Sequence, residues 1–137
     1  MREKLVKEWI YKAEEDFEAA ILLARKKRKP VPDVVCFHAQ QCIEKYLKAY
    51  LIKNEIEPPQ IHDLLRLNRL CIEVDREFEV ISEKLEILNA YAVNFRYPGE
   101  AATVEEAKEA LENAKDIRRF IKEKIGKKTK NKMEILT

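Results

Sequence analysis

Apolar residues recur at steps of three and four positions over most of the chain, and this is the period of amphipathic α-helices. The pattern predicts five helices, which cover residues 4–27, 33–53, 61–74, 76–95 and 104–125. Prolines interrupt the pattern before the second and third segments, and a Pro–Gly pair forces a turn before the fifth. The chain is therefore predicted to be all-α.

Acidic and hydroxyl residues stand where several helices are expected to begin. Asp33 and Asp75 are candidate caps of the second and fourth helices, and Thr103 with Glu106 matches a capping box for the fifth. Because the connections are short, the helices should pack as antiparallel neighbours. We predict an up-and-down antiparallel bundle of about five helices in one domain, residues 1–125, followed by a basic tail, residues 126–137.

The composition agrees with a helical protein and limits the classes of function. Of the 137 residues, 46% are hydrophobic, 38% are charged and only two are glycines, fewer than sheet-rich folds usually need. A net charge of +2 does not by itself indicate a nucleic-acid binder. No apolar run approaches the length of about 18 residues that a membrane span needs, and the amino terminus lacks a signal-peptide hydrophobic region. We therefore expect a cytoplasmic protein without membrane contact.

The three cysteines, Cys36, Cys42 and Cys71, are odd in number and lack CxxC spacing. Neither a disulfide framework nor a zinc site is favoured by this pattern. We expect reduced, partly buried thiols and no bound metal.

A stripe of polar side chains follows one side of the second predicted helix, in the stretch FHAQQCIEKYLK. The residues are His38, Gln41, Glu44, Lys45 and Lys48. Three interpretations stay open. The stripe is a solvated face that stabilises its own helix through i,i+4 pairs, or a semi-buried network in which Asp16 of the first helix pairs with Lys45 or His38, or a ligand site that uses Lys45 and Gln41.

The predicted up-and-down order brings further basic residues together. If the helices alternate in direction, the loop at 54–61 and the turn at 96–99 lie at the same end of the bundle. His62, Arg96 and Tyr97 would then converge with Lys45 and Lys48 beside the amino-terminal ends of two helices. Such a cluster suits an anionic ligand such as a phosphate. We expect no cofactor.

Four short motifs in order give the chain a family resemblance. They are W-x(3)-A-x(2)-D-F at Trp9–Phe17, HAQQ-x-x-EK-x-LKA at His38–Ala49, HDL at His62–Leu64 and RYP at Arg96–Pro98. With these motifs the chain resembles the HEPN family, the "higher eukaryotes and prokaryotes nucleotide-binding" domain, over about residues 9–125. The resemblance implies an all-α up-and-down bundle that is often a homodimer.

The resemblance also implies several activities. Many family members are encoded beside a minimal nucleotidyltransferase and behave with it as a toxin–antitoxin pair, and members with an RYP motif look like nucleotide-binding dimerisation modules. The ribonuclease members carry an arginine followed four to six residues later by a histidine. Here no histidine follows Arg96, and none occurs beyond His62. This departure favours a protein that is not an enzyme.

Three hypotheses about function follow from the motifs and the departure. The preferred one is a nucleotide-binding homodimer that partners a nucleotidyltransferase. The second is a metal-independent ribonuclease toxin in which His62 replaces the missing histidine, because imidazole is suited to proton transfer near neutral pH. The third is an interaction module that binds no nucleotide.

Overall fold

Five α-helices follow one another in this computed structural model, which describes residues 2–94 and 98–127. They are α1 (Arg2–Ala24), α2 (Pro32–Lys53), α3 (Leu64–Val74), α4 (Ser82–Asn94) and α5 (Val104–Gly126), with a 3₁₀ segment, Arg76–Ile81, leading directly into α4. The described ranges contain no strand. The predicted all-α, five-helix bundle is confirmed, and the boundaries of 1–125 and 126–137 for domain and tail stay a prediction.

Helix α2 is the central element, and the other four helices pack around it. Fourteen of its residues are buried, on nearly every side of the helix, and a helix of that kind lies in the core rather than on the surface. The outer helices bury a single stripe each. In α5 this stripe contains Ala107, Leu111, Ala114, Ile117 and Ile121.

The predicted caps are present at two helix starts and wrong at a third. The Asp75 carboxylate accepts from the Glu77 amide at 2.9 Å, and Thr103 and Glu106 form both bonds of the capping box. Asp33 does not cap α2, because the helix already begins at Pro32. The N-cap residue is Val31, and its side chain makes no capping hydrogen bond. The Asp33 carboxylate instead accepts from the Ala102 amide at 2.7 Å, which fixes the chain before α5 to the start of α2.

Helix α1 ends three residues earlier than the pattern predicted. The prediction extended to residue 27, but the helix ends at Ala24, where the basic run 25–29 begins. These side chains are exposed and Lys29 has a positive φ of 48°. Five adjacent cations repel one another and offer no apolar side chain to the core, so the helix is not stabilised beyond this point.

The expected direction of α3 is wrong, since α3 runs parallel to α2. The Gln40 amide donates to the His62 carbonyl at 2.9 Å, and farther along the same pair of helices Cys71 contacts the carbonyl of Leu47. The connection at 54–63 therefore passes back along α2 before α3 starts. Ten extended residues reach about 33 Å, which is enough for this return.

The two loops that were expected at one end of the bundle begin at opposite ends of α2. The bond from Ala102 to Asp33 places the start of α5 at the first turn of α2. Lys53, in the last turn of α2, donates to the carbonyls of Lys124 and Lys127 at the end of α5, at 3.3 and 2.6 Å. Helix α5 is therefore parallel to α2. The turn at Pro98–Gly99 precedes α5 at the start of α2, whereas the 54–61 loop begins at the other end of α2 and returns along it toward Gln40.

None of the helices in the described ranges combines the length and the apolar character that crossing a membrane would require.

Candidate functional site

Helices α1 and α2 share a buried carboxylate that joins two basic side chains. Asp16 Oδ1 lies 2.8 Å from His38 Nδ1, and Asp16 Oδ2 accepts from the Lys45 ammonium. The side chain of Asp16 is 11% exposed, whereas those of His38 and Lys45 are 27% and 23% exposed. His38 and Lys45 are two helical turns apart and share one face of α2, so one acid on the antiparallel α1 reaches both.

A second buried carboxylate on α2 organises another pair of basic groups. Glu44, 4% exposed, accepts from Lys48 Nζ at 3.1 Å and lies 3.0 Å from His62 Nδ1. The Gln41 amide donates to Glu44 at 3.4 Å and to the side-chain oxygen of Gln40 at 2.9 Å. The imidazole of His62 is 72% exposed although its partner is buried.

Both histidines of the chain bind a carboxylate through Nδ1. An ionised carboxylate only accepts hydrogen bonds, so the pairing assigns the hydrogen to Nδ1 of His38 and of His62. In that tautomer Nε2 carries the lone pair and can accept a proton. The carboxylate also holds the ring in one orientation, which is the function of the acid in histidine-dependent catalytic sites.

Basic residues that were predicted to lie together are separated in the structure. Lys48 and His62 meet at Glu44, but Lys45 is bound to Asp16 on the α1 side of α2. Lys48 is only 9% exposed and its charge is neutralised by Glu44, so its side chain belongs mainly to the fold. Arg96 and Tyr97 lie outside the described residues. Within the described ranges no group of His, Cys, Asp and Glu side chains could hold a metal ion.

Sequence reasoning missed a third network beside Asp16. Arg118 of α5 donates to both oxygens of Glu14 at 2.7 and 2.6 Å, and the Tyr46 hydroxyl donates to the same carboxylate at 2.5 Å. These bonds, that of Arg118 above all, lower the pKa of Glu14. Burial and the bond to Glu14 raise the pKa of Tyr46. The signal in the sequence was Arg118 in an otherwise apolar row of α5.

Gln40 is a second residue that sequence reasoning missed. It is buried, and its amide holds the backbone of His62 while its oxygen accepts from Gln41. Both glutamines of the HAQQ stretch therefore serve to place His62 and Glu44. A buried glutamine within a helix was the available signal, since buried amides are found with hydrogen-bond partners.

All three cysteines are buried thiols without a disulfide partner. Burial raises the pKa of Cys36 and of Cys71 to about 12, and it raises the pKa of Cys42 as well. At neutral pH such groups are protonated and poorly nucleophilic. They take no part in the candidate site.

Comparisons with known proteins agree with this architecture. The model of the HEPN domain matches residues 6–125. A protein of Methanocaldococcus jannaschii, named "Putative toxin MJ1304", is 34% identical, and the match covers 91% of this chain and 93% of that protein.

Two crystal structures share the fold. TT1696 from Thermus thermophilus superposes with a TM-score of 0.71 at 27% identity, covering 87% of this chain and 97% of that one. ST0689, described as an archaeal HEPN homologue, gives 0.69 at 26% identity, covering 88% and 97%.

Proposed function

The chain belongs to the HEPN family, and on that premise we propose that it is the toxin-like member of a two-component pair and binds a nucleotide or another phosphate-bearing ligand. The proposed ligand contacts are His62 and Gln41 beside Glu44, Lys45 on the α1 side of α2, and Arg96 and Tyr97 from the RYP motif, with Lys48 behind them. The toxin relative supports the first part of the proposal, and the polar network on α2 supports the second.

The observation that carries the proposal is the Glu44–His62 pair. A carboxylate that is 4% exposed holds an imidazole that is 72% exposed. Burying Glu44 carries a desolvation cost, and the fold compensates it with Lys48, Gln41 and the ring of His62. The result is an oriented imidazole at the surface whose Nε2 has no hydrogen-bond partner among residues 2–94 and 98–127, which suits contact with a polar ligand.

Calorimetric titration tests the proposal. ATP, GTP and a short RNA would be titrated into wild type, Arg96→Ala and His62→Ala proteins at low and moderate salt, with Arg76→Ala as the control. Arg76 is an exposed arginine beyond the far end of α3 from His62. We expect binding by wild type and the control and its loss in the other two variants. Absence of binding by wild type would support the interaction module instead.

The exposed, oriented His62 also favours a second function, metal-independent RNA cleavage. This reaction needs one group that takes the 2′-hydroxyl proton and one that protonates the leaving oxygen. His62 Nε2 can serve as one of them, and Arg96 can stabilise charge. RNA would be incubated with a chelator and with wild type, His62→Ala or Arg76→Ala protein. Cleavage that His62→Ala alone abolishes would establish a ribonuclease, and uncleaved RNA would leave binding as the function.

We further propose a homodimer that pairs with a nucleotidyltransferase in the cytoplasm. Phe37 is 50% exposed and its ring lies 5.4 Å from that of His38, so an interface at this point would adjoin the polar network. Sedimentation should show a dimer that Phe37→Ser weakens and Val80→Ser, which changes another exposed apolar residue, leaves intact. Titration with a minimal nucleotidyltransferase tests the pairing, and a monomer at all concentrations would refute the homodimer.

A further inference from the structure

An open apolar groove lies at the end of the bundle formed by the start of α1 and the loop after α2. Its volume is about 920 Å³, and its walls include Leu5, Trp9, Ile52, Ile56 and Pro58. Leu5 is 43% exposed. A groove of this volume and composition is in the range of known binding sites.

The carboxyl-terminal end of α5 is held beside this groove. Lys53 donates to the carbonyl of Lys127 at 2.6 Å, and Lys53 is adjacent to the wall residue Ile52. Ile125 packs in a small cluster with Trp9 and Ile52, two of the wall residues. The segment 128–137, which lies outside the described residues, therefore starts next to the groove. Ten residues reach about 33 Å when extended, so the segment is long enough to cross it.

The sequence of that segment matches the chemistry of the groove. Residues 128–137 read KTKNKMEILT, with three lysines followed by the apolar residues Met133, Ile135 and Leu136. The groove is apolar inside, and Glu55 and Glu57 line it with exposed carboxylates, of which Glu55 pairs with Arg2 at 2.7 Å. Lysines can pair with Glu57 while the apolar residues enter the groove, and a partner on the same chain acts at a high effective concentration.

We propose that residues 128–137 dock in this groove, with Ile135 and Leu136 against Trp9 and with the lysines near Glu57. The docked segment would cover one end of the bundle and link the end of α5 to the start of α1. Lys48 lies 5.7 Å from the Trp9 ring and binds Glu44, which also holds His62. The groove therefore adjoins the network around His62.

Trp9 is the chain's single tryptophan, so its fluorescence reports on the groove directly. The full chain would be compared with Ile135→Ser/Leu136→Ser, and with Thr129→Ser/Asn131→Ser as a control of equal length. We expect red-shifted emission in the first variant and roughly twofold stronger acrylamide quenching, because a segment filling such a groove covers most of the exposed ring. The control should match the wild type.

Charge and concentration separate this proposal from other occupants. Glu57→Lys should increase the quenching of Trp9, while Glu79→Lys, at an exposed glutamate of the 3₁₀ segment, should not. The protection of Trp9 should be independent of protein concentration. Protection that disappears on dilution would overturn the proposal in favour of a second copy in the groove. Equal quenching in the wild type and the Ile135→Ser/Leu136→Ser variant would overturn it outright.

Discussion

Replacing Glu44 by glutamine removes the carboxylate that Lys48 and His62 share. Glu44 and Lys48 are 4% and 9% exposed, so the substitution leaves an ammonium group inside the bundle without its counter-charge. His62 is 72% exposed and can turn to water, so its contribution is small. The cost of the Glu44→Gln substitution therefore comes mainly from Lys48.

The expected loss follows from this geometry. Removing one partner of a buried ion pair costs about 3 to 5 kcal/mol, and glutamine keeps one acceptor oxygen, so we expect about 3 kcal/mol. Urea denaturation followed by circular dichroism measures the loss as a lower midpoint. Glu86→Gln, at an exposed position of α4, is the control and should change stability by less than about 0.5 kcal/mol.

A second substitution tests the cause of the loss. Methionine at position 48 has a similar length and no charge, and apolar replacement of a buried pair is often neutral. Glu44→Gln/Lys48→Met should therefore recover about 2 kcal/mol relative to Glu44→Gln alone. The reasoning is refuted if Glu44→Gln costs less than about 1 kcal/mol, as surface pairs do, or if the double variant is no more stable than the single one.

Three further predictions concern other parts of the fold. Phe78→Ala should cost about 4 kcal/mol in urea denaturation, because the side chain is fully buried between two aromatic rings, and a loss below about 2 kcal/mol would contradict close packing there. Thr103→Ala should cost about 1 kcal/mol by removing the capping box, while Thr103→Ser should retain most of the stability. Glu14→Gln should destabilise the protein at pH 7 because it removes the bond to Arg118. The pKa of Glu14 is lowered in the folded protein, so this stabilisation is complete above the ordinary pKa of 4.5 and declines as the pH falls through the folded pKa. The stabilities of wild type and variant should therefore converge in acid. A stability difference that stays constant with pH would contradict the assignment.

Features that depend on neighbouring residues could be predicted from the sequence. The caps at Asp75 and Thr103 involve residues two or three positions apart, and the apolar row of α5 follows from the helical period alone. Asp33 lies at the start of α2, as predicted, but it does not cap the helix. Pro32 already begins α2, and the Asp33 carboxylate accepts instead from the distant Ala102 amide.

Features that depend on the path of a loop could not be predicted. A short loop at 54–61 between antiparallel helices was expected, but the connection 54–63 returns along α2 and makes α3 parallel to that helix. This return brings His62 to Glu44 and leaves Lys45 with Asp16. Nothing in local periodicity distinguishes a loop that turns from one that runs back, since both consist of polar residues and prolines.

Labelling of the three buried thiols can measure local opening of the bundle. Cys36 and Cys42 lie in the first half of α2, and Cys71 lies in α3 against the other half. A thiol reagent reacts with them only after the surrounding helices separate, because burial keeps them inaccessible and protonated. Equal labelling rates at the three positions would mean that the protein opens as one cooperative unit. Faster labelling of Cys71 would mean that α3 detaches while α1 and α2 stay paired.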